Sequence, residues 1–185
     1  MRRAEYPYLA DLFAVSLRWL VLFGLALSFA ISGGMKTGEG AIDLVKIAIL
    51  GSLVLWNGFV SALAMFNRRL NWHRQINLTI DVVFAALLFA YSGGLRSEVN
   101  WVAVLPLITG ATYFGARGSL PAAVIITALQ AAYIFLAAES LFQPPVAAML
   151  AGANLAAAVA ATLLITPLIN SLRRSYMKTV SQRKE

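Results

Sequence analysis

Long apolar runs alternate with short polar segments along the whole chain. The runs cover about Leu12–Ile31, Ile42–Phe66, Ile76–Tyr91, Val99–Phe114, Leu120–Ala138 and Val146–Asn170. They are continuous, without the period-two alternation of barrel strands, so they predict helices. A helix needs roughly 20 apolar residues to cross the hydrocarbon core. The first, second, fifth and sixth runs meet that length. The third and fourth have 16 residues each. They read either as short spans that thin the bilayer locally or as a re-entrant hairpin buried by protein. The six-span reading is adopted, which makes the chain an all-α integral membrane protein. Both counts are even, and both put the two termini on one side.

Composition agrees with the pattern. The chain has 185 residues, 60% hydrophobic and 12% charged, with a mean hydropathy of +0.76. A soluble domain would carry about twice that charged fraction. There is no cysteine and one histidine, His73, so thiol chemistry is excluded and no metal or cofactor is expected. The net charge of +7 would suggest nucleic acid in a soluble protein. Here the cations flank apolar runs, and the positive-inside rule accounts for them without a nucleic-acid partner. With the N-terminus cytoplasmic, eleven basic residues fall inside: Arg2, Arg3, Arg68, Arg69, Arg74, Arg117, Arg173, Arg174, Lys178, Arg183 and Lys184. Only Lys36 and Arg96 fall outside, with the acids Glu39, Asp43, Glu98 and Glu139. Both termini are therefore expected in the cytoplasm. Arg2 and Arg3 before an apolar run mimic a signal peptide, but the run is long and no A-x-A site follows, so it reads as a retained first helix. No inverted repeat supports a transporter.

The last run carries small residues four apart, Ala148, Gly152, Ala156 and Ala160. They share one helix face and predict close helix packing, within the chain or across a homodimer. Asn154 and Asn170 are expected to bond to neighbouring helices, and Pro167 to bend the helix near its inner end. Residues 173–185 follow as a basic segment without Gly or Pro. It reads as a cytoplasmic exit helix and as an anchor on anionic lipid.

Polar residues inside the runs need an explanation. Asp81 lies about one and a half turns into the third run, where an ionised group must be paired, hydrated or neutral. Arg74, on the same face, and Arg18 are its candidate partners. The alternative is a coupling or proton-sensing site. Arg18 and Lys46 are near enough to the membrane edges to snorkel. Gln130, Thr109, Thr112 and Tyr113 are candidates for a small polar pocket. His73, beside Trp72, reads as an interfacial anchor, and Trp101 as part of the outer aromatic belt. Trp19 and Trp56 lie deeper and face helices or a partner. No nucleotide loop, nucleophile–base pair or metal motif is present, so no catalytic role is expected.

The segment from Asn77 to Leu120 is the most distinctive. Asp81 lies in its first apolar run, a Gly93-Gly94 turn and Ser97 follow, Pro106 lies in the second run, and Gly115-Ala116-Arg117-Gly118 closes it as a short turn. This order resembles the multi-span N-terminal sensor region of bacterial membrane histidine kinases, of the redox- and pilin-responsive types. The motif covers about 45 residues, and the helix count extends the likeness to most of the chain. The resemblance implies an inner-membrane input domain, with Asp81, Gly93, Gly94 and Pro106 as sensing or coupling residues. Two departures qualify it. The sequence ends at Glu185, where a kinase would continue into its phosphoacceptor and ATP-binding domains, so either an isolated input module or a descendant that lost its kinase half is expected. Redox-responsive members place Asn-Pro-Phe after the Gly-Gly turn; here Ser97-Glu98-Val99 stand there, and quinone is not carried over. Two functions are therefore expected: a signal-input module relaying a membrane or redox signal through its last helix, or a small non-catalytic subunit of a larger membrane complex. The expected partners are the lipid bilayer and either other membrane subunits or a second copy.

Overall fold

The computed structural model describes residues 8–32, 43–66, 72–97, 99–137 and 144–182. Most of the charges used to orient the chain (Arg2, Arg3, Lys36, Glu39, Arg68, Arg69, Glu98, Glu139, Arg183 and Lys184) lie outside the described residues. Among the described residues the chain is all-helical: α1 (Tyr8–Ser32), α2 (Leu44–Met65), α3 (His73–Tyr91), α4 (Val104–Phe114), α5 (Ala116–Ala137) and α6 (Pro144–Gln182). Short 3₁₀ turns at Gly94–Arg96 and Asn100–Ala103 link α3 to α4.

Five of the six helices are long and apolar enough to cross a membrane. The third is one of them. It begins at His73 and reaches 19 residues, because the polar turn before the apolar run is also helical. The fourth is not. The 3₁₀ turn takes up the start of its apolar run, and α4 proper has 11 residues, about 16 Å of helix. Its surroundings compensate for its length. Leu105, Pro106, Leu107 and every residue from Thr109 to Tyr113 are buried, and α4 packs against α1, α3, α5 and α6. Pro106 is its third residue, where the backbone N–H has no acceptor inside the helix, so the proline costs α4 no bond.

The surface is inverted relative to a soluble protein. Leu20, Phe23, Leu55, Leu136 and Leu164 are exposed, while Arg18, Asn57, Asn77 and Asp81 are fully buried. This is the arrangement expected where the solvent is lipid and polar groups must find partners within the protein. The apolar core joins Leu22, Leu25 and Phe29 of α1 to Leu53 of α2, Leu88 of α3, Leu105 and Leu107 of α4 and Ile126 of α5.

Glycines set the two tight connections. Gly93 and Gly94 have φ of 100° and 62° after the Ser92 cap of α3, a left-handed geometry that glycine adopts without strain. A Cβ on Gly94 would come within 2.9 Å of the Tyr133 ring of α5, which stands edge-on to Phe89. The second turn is shorter than the sequence suggested. Gly115 alone, at φ 63°, reverses the chain, and α5 begins at Ala116. Gly118 is thus inside α5, where its role is close approach: a Cβ there would lie 2.5 Å from the Gly110 carbonyl oxygen. The backbones of α4 and α5 touch.

α6 spans 39 residues, about 58 Å, nearly twice the hydrocarbon thickness of about 30 Å. It runs through Pro167 to Gln182 as one helix, so the basic segment continues the last span. Among the described residues, nothing packs on the small-residue ladder. Ala148, Gly152, Ala156 and Ala160 are exposed, and nothing lies within 4 Å of a Cβ on Gly152. The buried face is the one bearing Asn154, Ala158 and Ala161, because Asn154 must turn its amide toward α5 to find a partner. Asn170 is exposed as well.

At the start of α2, Asp43 accepts from the backbone N–H groups of Val45 and Lys46. The Lys46 N–H bond is the main cause holding its carboxyl below the usual range. A lowered pKa means the cap's contribution is complete at neutral pH and is lost as pH falls through that depressed value.

The glycine contact yields a prediction. Gly118→Ala is expected to destabilise the protein by about 1–3 kcal/mol, the usual cost of overpacking. Gly152→Ala is expected to leave stability unchanged or slightly raised. Thermal unfolding in detergent compares them, and equal midpoints would contradict the backbone contact.

Candidate functional site: a buried polar junction of four helices

Arg18 and Asp81 form the centre of this site. Arg18 Nε donates to Asp81 Oδ1 at 2.7 Å and Nη2 to Oδ2 at 2.8 Å, a two-bond fork with both side chains fully buried. Nη2 also lies 3.3 Å from the Asn77 carbonyl oxygen. In a low-dielectric interior such a pair holds only if geometry and further hydrogen bonds offset desolvation. The chain supplies those bonds from α3 itself. Asn77 is one turn before Asp81, so both project on the same helix face.

Asn77 extends the junction to two more helices. Its Oδ1 accepts from Trp56 Nε1 of α2 at 2.9 Å, and its Nδ2 donates to the Tyr113 hydroxyl of α4 at 3.2 Å. Next to Trp56, Asn57 Nδ2 of α2 donates to the Val15 carbonyl of α1 at 3.3 Å. Trp19 Nε1 meets Ser61 Oγ at 3.3 Å. Helices α1, α2, α3 and α4 thus meet through side-chain hydrogen bonds, where their apolar faces alone would leave rotation and register free. Arg18 Nη1 and Asn57 Oδ1, both buried, find no hydrogen-bond partner among the described residues.

A second charged group closes the end of the junction. His73 Nε2 lies 3.0 Å from Asp11 Oδ1, and Arg74 Nε lies 3.7 Å from the same oxygen. The Tyr113 and His73 rings stand at 73° to each other with centroids 6.4 Å apart, and the Arg74 guanidinium lies 5.7 Å from the Tyr113 ring centre. Tyr113 therefore links the two clusters, its hydroxyl in one and its ring in the other.

Of the two partners expected for Asp81, the structure selects Arg18, and Arg74 goes to Asp11. Arg18 does not snorkel; it is drawn inward by the carboxylate. His73 lies beside Arg74 in the cluster around Asp11. Lys46 pairs with Asp43 at 3.4 Å. The polar residues expected to share one pocket separate. Gln130 Oε1 and Thr127 Oγ1 both accept from Asn154 Nδ2 of α6, at 2.8 and 2.9 Å. Thr112 donates to its own helix at Ile108, Tyr113 joins the ionic junction, and Thr109 is buried elsewhere on α4. Gly93, Gly94 and Pro106 shape the path of the chain around the junction and lie outside its hydrogen bonds. Asp11, Asn57 and Asn77 were not singled out from sequence. The first and last had a signal: Asp11 is seven residues from Arg18 and Asn77 four from Asp81, so each shares a helix face with the central pair. Comparison with protein-family models, with curated proteins and with solved structures finds no match to this chain.

The geometry predicts a particular mutational pattern. Arg18→Leu or Asp81→Leu leaves a buried charge without its partner, with an expected loss of about 3–5 kcal/mol. The double variant is expected to lose less than either single one, because no charge is stranded. Denaturation of all four proteins in mixed detergent micelles measures the cycle. Additive losses would show that the two side chains are not coupled.

Proposed function

We propose that this chain is a membrane signal-input module, similar to the transmembrane region of a histidine kinase, with both termini cytoplasmic and no catalytic activity of its own. In this reading a membrane or redox signal alters the Arg18–Asp81 junction, and α6 carries the change out of the bilayer. The observation that supports it is a contiguous series of close contacts. Tyr113 ties the junction to α4, and the Gly110–Gly118 approach ties α4 to α5. Ser119 Oγ meets Thr162 Oγ1 of α6 at 2.6 Å, and Asn154 clasps Gln130. The last helix then continues well past the apolar span. Coupling along this path requires an element with two arrangements that the junction biases.

Because the chain lacks cysteine, paired spin labels report on that element directly. With labels at Ser52→Cys and Arg173→Cys, Asp81→Asn and Gly94→Leu are each expected to shift the α2–α6 distance by about 1–2 Å or to add a second population. Distance distributions that superimpose on the wild type in both folded variants would overturn the relay.

A second reading is a small structural subunit of a larger membrane complex. The exposed ladder of Ala148, Gly152, Ala156 and Ala160 favours it, since small residues let another helix approach closely. It predicts recovery at fixed stoichiometry with other membrane chains in mild detergent. Recovery as a free monomer would exclude it.

A further inference from the structure

One face of α6 changes character along its length in the order of a phospholipid. Leu155, Val159 and Leu163 follow each other at four-residue steps and are exposed. Pro167 comes next, then Asn170 and Ser171, then Arg174. From Leu155 to Pro167 is about 18 Å of helix, against about 15 Å for half of the hydrocarbon core. At the polar end a groove of about 440 Å³ opens, lined by Thr162, Leu163, Thr166, Pro167, Asn170 and Arg174 among others. That is within the range of about 300–1,000 Å³ common for small-molecule sites.

The chemistry of the groove is equally graded. Pro167 has no N–H to give the Leu163 carbonyl, so that oxygen loses its helical donor. Thr166 Oγ1 is buried and has no hydrogen-bond partner among the described residues. Thr162 bonds to Ser119 of α5, and Thr166 lies 3.7 Å from a Cβ on Gly115. These two contacts set the first turn of α5, with the exposed Arg117, beside the Thr162–Thr166 turn of α6. The described carboxylates are engaged elsewhere: Asp11 with His73, Asp43 with Lys46 and Asp81 with Arg18. The groove therefore presents the Arg174 cation, hydroxyls and an amide at its polar end, and an apolar wall toward the bilayer centre.

We propose that this groove is a binding site for one anionic phospholipid, its phosphate at Arg174 with Asn170 and Ser171, and its acyl chain along Leu163, Val159 and Leu155. The site does not depend on the relay reading. A diffuse basic anchor would treat Arg173 and Arg174 alike, whereas the groove includes Arg174 only.

Native mass spectrometry of the delipidated full chain, titrated with phosphatidylglycerol or with phosphatidylcholine of matched chains, tests the proposal. The wild type is expected to retain phosphatidylglycerol at least about tenfold better, the equivalent of one charge-assisted hydrogen bond. Arg174→Gln is expected to abolish the preference, and Arg173→Gln to keep it. Equal retention of both lipids, or equal loss in the two arginine variants, would overturn the site. Displacement of phosphatidylglycerol by millimolar inorganic phosphate would assign the groove to a free anion and overturn the lipid proposal.

Discussion

A buried guanidinium–carboxylate pair is expensive in any protein and more so where lipid replaces water. The Arg18–Asp81 fork holds because the two groups match in geometry and because Asn77 adds a third acceptor. That requirement reaches outward. The fork spans between α1 and α3, whose backbones barely approach each other, and it fixes their register, since a slip of one residue on either helix would rotate a charge toward lipid by about 100°. Asn77 then fixes Trp56 and Tyr113, and with them the heights of α2 and α4. The apolar contacts among Leu, Phe and Ile residues fill the space that this polar framework defines.

The other half of the molecule is organised differently. Between α4, α5 and α6 the determining features are small residues and backbone proximity. Gly110 and Gly118 let two helices touch, and Ala158 and Ala161 bring α6 in behind them. Single hydroxyl and amide bonds, Ser119 to Thr162 and Asn154 to Gln130, pin the interface without introducing charge. One half is held by electrostatics and the other by close approach, with α4 common to both.

Much of the helical architecture was legible in the sequence, because continuous apolar runs have few alternatives in lipid. Run boundaries were less so. His73 and Arg74 are polar and yet helical, since Asp11 and Tyr113 provide partners that the local sequence does not reveal. The shortness of α4 was visible as a short run, but its central position was not; that depends on glycines touching across an interface. Asp81 was legible as a residue needing a partner, and the choice of Arg18 over Arg74 follows from how α1 and α3 are aligned. The ladder on α6 was legible as a pattern and misleading as to its neighbour, because Asn154 on the adjacent face has the stronger claim to the interior.

The one-residue reversal at Gly115 bears on how the chain enters a bilayer. With 11 residues, α4 has too little apolar length to be recognised and released sideways as a span in its own right. Gly115 leaves no intervening loop that would let the synthesis machinery handle the two helices as separate events. α4 and α5 are therefore expected to partition as a single hairpin, with the longer helix carrying the shorter one. On that expectation the most buried helix of the bundle enters the membrane with its C-terminal neighbour, and its burial is completed only once α6 has been made.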